Sequence, residues 1–196
     1  MHDFLPRRLW LVRHGESTWN ALGLVQGQVT LPALTAVGID QSRARARALA
    51  GEQITALYAS DLRRARQTAE AIGRSLGLEV RTDARLRERS LGTAEGMPSA
   101  LLGADRSGIA NGRVLDADAA PEGGESIRQL YRRASECAAE LLRVSEHGDI
   151  ALICHGGVVR VLLAWLDGIA PDDMPWVDVA NCDAIVRSVA EPALTG

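Results

Sequence analysis

Residues Ile150-Ala151-Leu152-Ile153-Cys154-His155-Gly156-Gly157 decide the reading of this chain. Five uncharged apolar residues run without polar alternation, the pattern of a strand covered on both faces. The run stops at a histidine and two glycines, so His155 stands at the carboxyl end of a buried strand. Downstream, a helix is expected from about Gly157 to Leu166. Upstream, Ser126 to about Ser145 reads as a long amphipathic helix, with Ile127, Leu130, Tyr131, Ala134, Cys137 and Leu141 on one face and Gly148 as the residue that ends it. The pattern recurs nearer the start. Arg8–Arg13 (RLWLVR) is a short apolar strand that also ends in a histidine, His14. Thr35 can cap a helix to about Ala50, with Gly51 as its stop. Leu57–Ala59 is a strand, Ser60 or Asp61 caps a helix to Leu76 that Gly77 ends, Leu78–Thr82 is a third strand, and Asp183–Val189 is the last. Alternating strands and helices predict an α/β three-layer sandwich, with a mainly parallel central sheet and helices on both faces. Ligands of such sheets bind beyond the carboxyl ends of the strands, so His14 and His155 are expected in one crevice. One domain is expected over residues 1–196. Residues 97–120, rich in Gly, Ala, Asp and Ser with weak periodicity, read as a variable lid.

Composition narrows the function. The chain has 196 residues, 46% hydrophobic and 24% charged, which suits a globular enzyme with a real core. Its net charge of -3 and the absence of a basic run argue against a nucleic-acid partner. Leu9–Val12 is too short for a signal core or a membrane span. Three cysteines, Cys137, Cys154 and Cys182, form no CxxC pair and point to a reducing, cytoplasmic setting. No HxH, DxD or HExxH pattern is expected to hold a metal, and no cofactor is expected. A homodimer is compatible with the sequence.

Four segments carry chemistry. Leu11–Asn20 (LVRHGESTWN) places His14 after a strand with Arg13 beside it. A neutral imidazole is a competent nucleophile toward phosphorus, and a guanidinium offers a planar fork to phosphate oxygens. Ser60–Ala69 (SDLRRARQTA) starts a helix at the crevice and supplies three arginines, of which at least one of Arg63 and Arg66 is expected to face solvent. Leu86–Gly96 (LRERSLGTAEG) holds two carboxylates, Glu88 and Glu95, either of which could donate a proton to a leaving alcohol. Cys154–Gly157 (CHGG) supplies His155. Any one of these alone reads more simply as a solvated arginine, a loop carboxylate or a core histidine.

Together and in this order they resemble the histidine phosphatase superfamily, the branch that includes cofactor-dependent phosphoglycerate mutases and many small bacterial phosphatases. The resemblance runs from about Arg8 to Arg160 and is weak between Met97 and Ala120. It implies that His14 is the phosphoryl acceptor, Arg13 and Arg64 the phosphate clamps, Glu88 the proton donor and His155 the second histidine of the pocket. It also places Ser17 and Asn20 against the phosphate or substrate. Gln26, Gly27 and Gly156 complete the expected substrate-binding set. Pro121–Ser126 (PEGGES) resembles the segment that opens the family's long helix. Two departures stand out: Thr30–Thr35 (TLPALT) lacks the family's usual Asp, and Cys154 replaces a common Ser or Thr. Cys154 reads as a packing residue, with a redox-sensitive thiol as the alternative.

The implied activity is a metal-independent phosphomonoester phosphatase that acts through a phosphohistidine on a small phosphate ester. A cofactor-dependent phosphoglycerate mutase is the alternative. As the resemblance has it, mutases carry further basic residues after the glutamate loop, whereas residues 97–120 offer only Arg106 and Arg113. The sparse arginines of that stretch suggest a substrate with one phosphate. A non-catalytic module of the same fold would have no use for all five of His14, Arg13, Arg64, Glu88 and His155.

Overall fold

The computed structural model describes residues 7–102, 108–145 and 148–189. Strand β1 (Arg7–Arg13) leads to the single turn α1 (Thr18–Ala21) and to α2 (Ala36–Leu49). Then come β2 (Ile54–Ala59), α3 (Arg63–Leu76) and β3 (Val80–Thr82). A two-stranded ribbon, β4 (Ile109–Ala110) and β5 (Arg113–Val114), precedes α4 (Ile127–Val144). The chain closes with β6 (Asp149–Cys154), α5 (Gly156–Leu166) and β7 (Ala184–Val189). The main sheet has the order β3-β2-β6-β1-β7, parallel except for β7. The expected three-layer α/β sandwich is therefore the observed one.

Period-two alternation along the central strands builds the layers. Leu9, Leu11, Ile150, Leu152 and Cys154 pack on the face covered by α4 and α5. Trp10, Val12, Ala151 and Ile153 pack on the other face with Ala46 of α2 and Ala69 and Ile72 of α3. Because both faces are covered, β6 is buried at every position, and the apolar run at 150–154 is its direct consequence. Asp149 opens β6 and fixes its register against β1 from the far end. Its carboxylate accepts bonds from the Arg8 N–H at 2.9 Å, from Arg8 Nε at 2.7 Å and from Trp10 Nε1 at 3.2 Å.

Helix ends follow local chemistry with two exceptions. Thr35 caps α2, Ser126 caps α4 in a reciprocal box with Gln129, and Gly77 stops α3 with φ 67°. The cap of α3, however, is Leu62, with no side-chain bond, because Ser60 is used elsewhere. Helix α4 stops at Val144, before Gly148. The expected lid resolves into a 3-10 turn (Ser99–Leu101) and the β4–β5 ribbon; residues 103–107, with Arg106, lie outside the described residues. No helix among the described residues is long and apolar enough to cross a membrane.

Candidate active site

Strand β1 delivers His14 to the carboxyl edge of the sheet, where its N–H continues the ladder to the Cys154 carbonyl at 3.0 Å. The partner position on β6 delivers His155, because Arg13 pairs in register with Cys154. The two rings meet edge to face, with centroids 5.1 Å apart and planes at 63°. His14 Nδ1 lies 2.7 Å from the Gly15 carbonyl oxygen. A carbonyl only accepts, so Nδ1 carries the proton and Nε2 keeps its lone pair. The backbone around it is locked. Gly15 N–H donates to Thr68 Oγ1 of α3 at 3.0 Å, and Asn181 Nδ2 donates to the His14 carbonyl at 3.0 Å. A Cβ on Gly15 would stand 2.5 Å from the Gly38 carbonyl, and one on Gly38 would collide with the Glu16 carbonyl. Both glycines are needed for this approach of loop to helix.

His155 is fully buried, and its Nε2 lies 2.9 Å from Ser60 Oγ. Ser60 Oγ also accepts the Leu62 N–H at 3.3 Å and has one proton it can give to Nε2. With that proton on Nε2's side of the bond, Nδ1 is the protonated nitrogen of His155. Among the described residues, four buried side-chain polar atoms have no partner, and three of them belong here: Arg13 Nε, Arg64 Nε and His155 Nδ1. An unpaired buried donor costs about 1–3 kcal/mol, more when charged, so such atoms mark a ligand site. Other guanidinium donors position the two side chains. Arg64, buried on the inner face of α3, gives Nη1 to the Val29 carbonyl at 2.9 Å and Nη2 to the Gly27 carbonyl at 2.8 Å. Arg13 Nη1 donates to the Val179 carbonyl at 2.5 Å.

Arg13, His14, Arg64 and Glu88 line one cavity of about 290 Å³. Glu88 accepts the N–H of Arg89 at 2.8 Å and of Gly157 at 3.0 Å. A Cβ on Gly157 would run into its carboxylate. Arg133 of α4, paired with Glu125, holds the Glu88 loop by the Arg85 and Arg87 carbonyls at 2.6 and 2.9 Å. Glu95, the other candidate, is bound to the N–H groups of Gln28 and Leu91 and does not line the cavity. One Asp-x-Asp pattern could suggest a metal, but Asp116 closes a turn on the Asp118 N–H, and Asp118 pairs with Arg128.

The family model of the histidine phosphatase superfamily (branch 1) matches residues 9–191. The chain belongs to this superfamily. Glucosyl-3-phosphoglycerate phosphatase of Mycobacterium tuberculosis is 38% identical over 168 residues, 82% of this chain and 75% of that one. A Yersinia enterocolitica protein named "Probable phosphoglycerate mutase GpmB" is 36% identical over 183 residues, 89% of this chain and 81% of that one. Among solved structures, mycobacterial glucosyl-3-phosphoglycerate phosphatase with VO3 superposes with a TM-score of 0.87 at 33% identity, over 96% of this chain and 94% of that one. Phosphoserine phosphatase of Entamoeba histolytica with phosphoserine gives 0.79 at 26%, over 92% and 89%.

Other expected site residues of this histidine phosphatase sit further from the cavity. Ser17 is fully buried as the cap of α1, its hydroxyl tied to Asn20 Oδ1 and Gln26 Oε1 at 3.1 and 2.7 Å. Neither Ser17 nor Asn20 lines the cavity, whereas Gln26, Gly27 and Gly156 do. Arg63 and Arg66 are both exposed. Cys154 is fully buried and its thiol is pushed up by desolvation, a packing residue held protonated. Sequence reasoning missed Ser60, Thr68, Asn181 and Arg160. Thr68 had a signal: it lies four residues after Arg64 on the face that buries Ala65, Ala69 and Ile72.

Burial, then the nearby Arg64, holds the pKa of both histidines well below the ordinary imidazole value, with Arg13 adding to the effect. His14 is therefore neutral, and nucleophilic, through mildly acidic pH. Corrected for substrate ionisation, the acid limb of kcat/KM is expected well below pH 6.5; a limb at 6.5 would mean a solvated imidazole. The linkage has a definite sign. Below about pH 6.5 the unfolded chain binds protons at both histidines that the folded chain refuses, so stability falls as pH drops from there toward the folded values.

Desolvation also lowers the pKa of Arg13, and that of Arg64 to about 10, yet both remain charged at neutral pH. Orthophosphate should satisfy these cations. At about 100 times its Kd, binding adds about 2.7 kcal/mol and raises Tm by about 5–10 °C. Thermal melts in phosphate against chloride of equal ionic strength check this; equal shifts would argue against a phosphate pocket.

Proposed function

We propose that this chain is a metal-independent phosphomonoester phosphatase that works through a phosphohistidine on His14 Nε2. The observation that carries the reading is the set of buried, unpartnered atoms Arg13 Nε, Arg64 Nε and His155 Nδ1 beside a histidine whose Nδ1 is pinned by a carbonyl: Arg13 and Arg64 line its cavity, and His155, which does not line it, meets the His14 ring edge to face. Three donors answer the three non-bridging oxygens of a phosphoryl group. Catalysis of phosphoryl transfer is chiefly such positioning and charge stabilisation. Nε2 attacks phosphorus in line, the bond from phosphorus to the ester oxygen breaks, and Glu88 gives its proton to the departing oxygen. Glu88 then takes a proton from water, which attacks phosphorus. The P–N bond breaks, releasing orthophosphate and neutral His14.

The substrate is a small phosphate ester, which fits a cavity of about 290 Å³ and the phosphatase names of the relatives. Three buried, unpaired cysteines support a reducing, cytoplasmic setting. Every charge in this scheme comes from protein side chains, so hydrolysis of p-nitrophenyl phosphate should be unchanged in excess chelator. Loss that zinc or magnesium restores would contradict the scheme. Turnover only with phosphoglycerate and its bisphosphate, with no release of orthophosphate, would instead establish a mutase.

A further inference from the structure

Two cavity arginines play no part in this chemistry: Arg89, which gives Nε and Nη2 to the Glu125 and Ala119 carbonyls at 2.6 and 2.7 Å, and Arg160. Arg160 lies one turn into α5 and lines the cavity with Arg13, His14 and Glu88. Its Nε donates to the Val177 carbonyl at 2.5 Å, and its plane lies over the Trp176 ring, 4.8 Å from the centroid. Trp176 is itself tied to the β4–β5 turn, its N–H donating to the Gly112 carbonyl at 2.7 Å. The side chain is thus held at its base and on one face. Nη1 and Nη2 make no hydrogen bond among the described residues, and no carboxylate there forms an ion pair with the group. A stacked, pre-oriented fork of this kind suits bidentate recognition of a planar anion.

Its position tells which anion. The point where a Gly156 Cβ would stand lies 2.8 Å from Arg160 Nη1 and 3.7 Å from Arg13 Nε, so the fork is next to the phosphoryl pocket. The three non-bridging oxygens already have three donors. Arg160 shares the cavity wall with Trp176, Leu102 and Ile109, the side left for the organic part of the ester. We infer that Arg160, stacked on Trp176, binds a carboxylate on the leaving group, so that the preferred substrates are phosphate esters of small hydroxy acids. This rests on the phosphatase reading above. Of the two arginines in residues 97–120, Arg113 is exposed and does not line the cavity and Arg106 lies outside the described residues, whereas Arg160 sits on an apolar helix.

The test compares a matched pair, 3-phosphoglycerate and glycerol phosphate, which differ by a carboxylate against a hydroxymethyl group. Wild-type kcat/KM should favour the carboxylate about 10- to 100-fold, the scale of a charge-assisted bond. In Arg160→Gln the ratio should collapse to within about threefold of unity. Arg160→Lys, which keeps the charge and loses the fork, should fall between. Absence of a wild-type preference would overturn the inference. So would equal losses on both esters in Arg160→Gln, the mark of a phosphate clamp. Calorimetric binding of the same pair to His14→Ala protein, with and without Arg160→Gln, reads the preference without turnover. If p-nitrophenyl phosphate is not hydrolysed, the phosphatase reading fails while binding still decides this one.

Discussion

His14→Ala should lose at least about 10⁴-fold in kcat on p-nitrophenyl phosphate, with the folded state retained. The reason is that no other group can take the phosphoryl. His155, the other imidazole at the site among the described residues, has Nε2 tied to Ser60 and, when Ser60 donates to it, presents a protonated Nδ1 and not a lone pair. The pocket that stabilises charge stays in place, because Arg13, Arg64 and His155 are held by other contacts. Binding of orthophosphate should therefore persist while turnover disappears. Brief exposure to labelled substrate should leave an acid-labile, alkali-stable phosphoryl group on wild-type protein and none on the variant. Substantial residual turnover with an intact thermal transition would mean that water attacks directly, and that His14 merely binds.

Arg64→Ala should cost about 10²–10³-fold in kcat/KM, the usual loss for one preorganised charge-stabilising donor. This arginine does two things at once. Nε is buried without a partner, while the two Nη groups hold the Gly27 and Val29 carbonyls, of which Gly27 lines the same cavity as His14. Arg64→Lys keeps a charge but cannot serve three directions, so it should remain at least tenfold impaired. Arg63→Ala, at an exposed position on the outer side of the same helix, should stay near wild type. Equal losses at the two positions would show that the pocket is built from a different helical face.

The sequence made both strand-end histidines legible because strands covered on two faces read as near-continuous apolar runs. The runs at 8–13 and 150–154 could hardly be anything else. What it could not show was strand order. A local run carries no record of its neighbour, so the insertion of β6 between β2 and β1 and the antiparallel β7 came only from the structure. Residues 97–120 show weak periodicity, and their described part holds a 3-10 turn and a ribbon of two-residue strands, too short to repeat a pattern. At the site, Arg13, Arg64, Glu88 and His155 stood in recognisable segments. Ser60 looked like a helix cap because the same hydroxyl chemistry serves both purposes; the partner that claims it is 95 residues away. Arg160 was hidden for the opposite reason. A single arginine on an apolar helix reads as a snorkelling side chain, and only the Trp176 ring and the Val177 carbonyl hold it at the cavity.

The strand order also bears on how the protein is made. Strands β1 and β2 never pair with each other; each pairs with β6, whose residues are synthesised some 90 positions after β2. Until residues 149–154 leave the ribosome, both earlier strands keep an open edge, the feature that recruits other chains. The nascent chain therefore holds His14, the proposed nucleophile, without its partner histidine, because His155 arrives on the strand that closes the gap. Competence to bind substrate and protection from aggregation are acquired in the same late, long-range step.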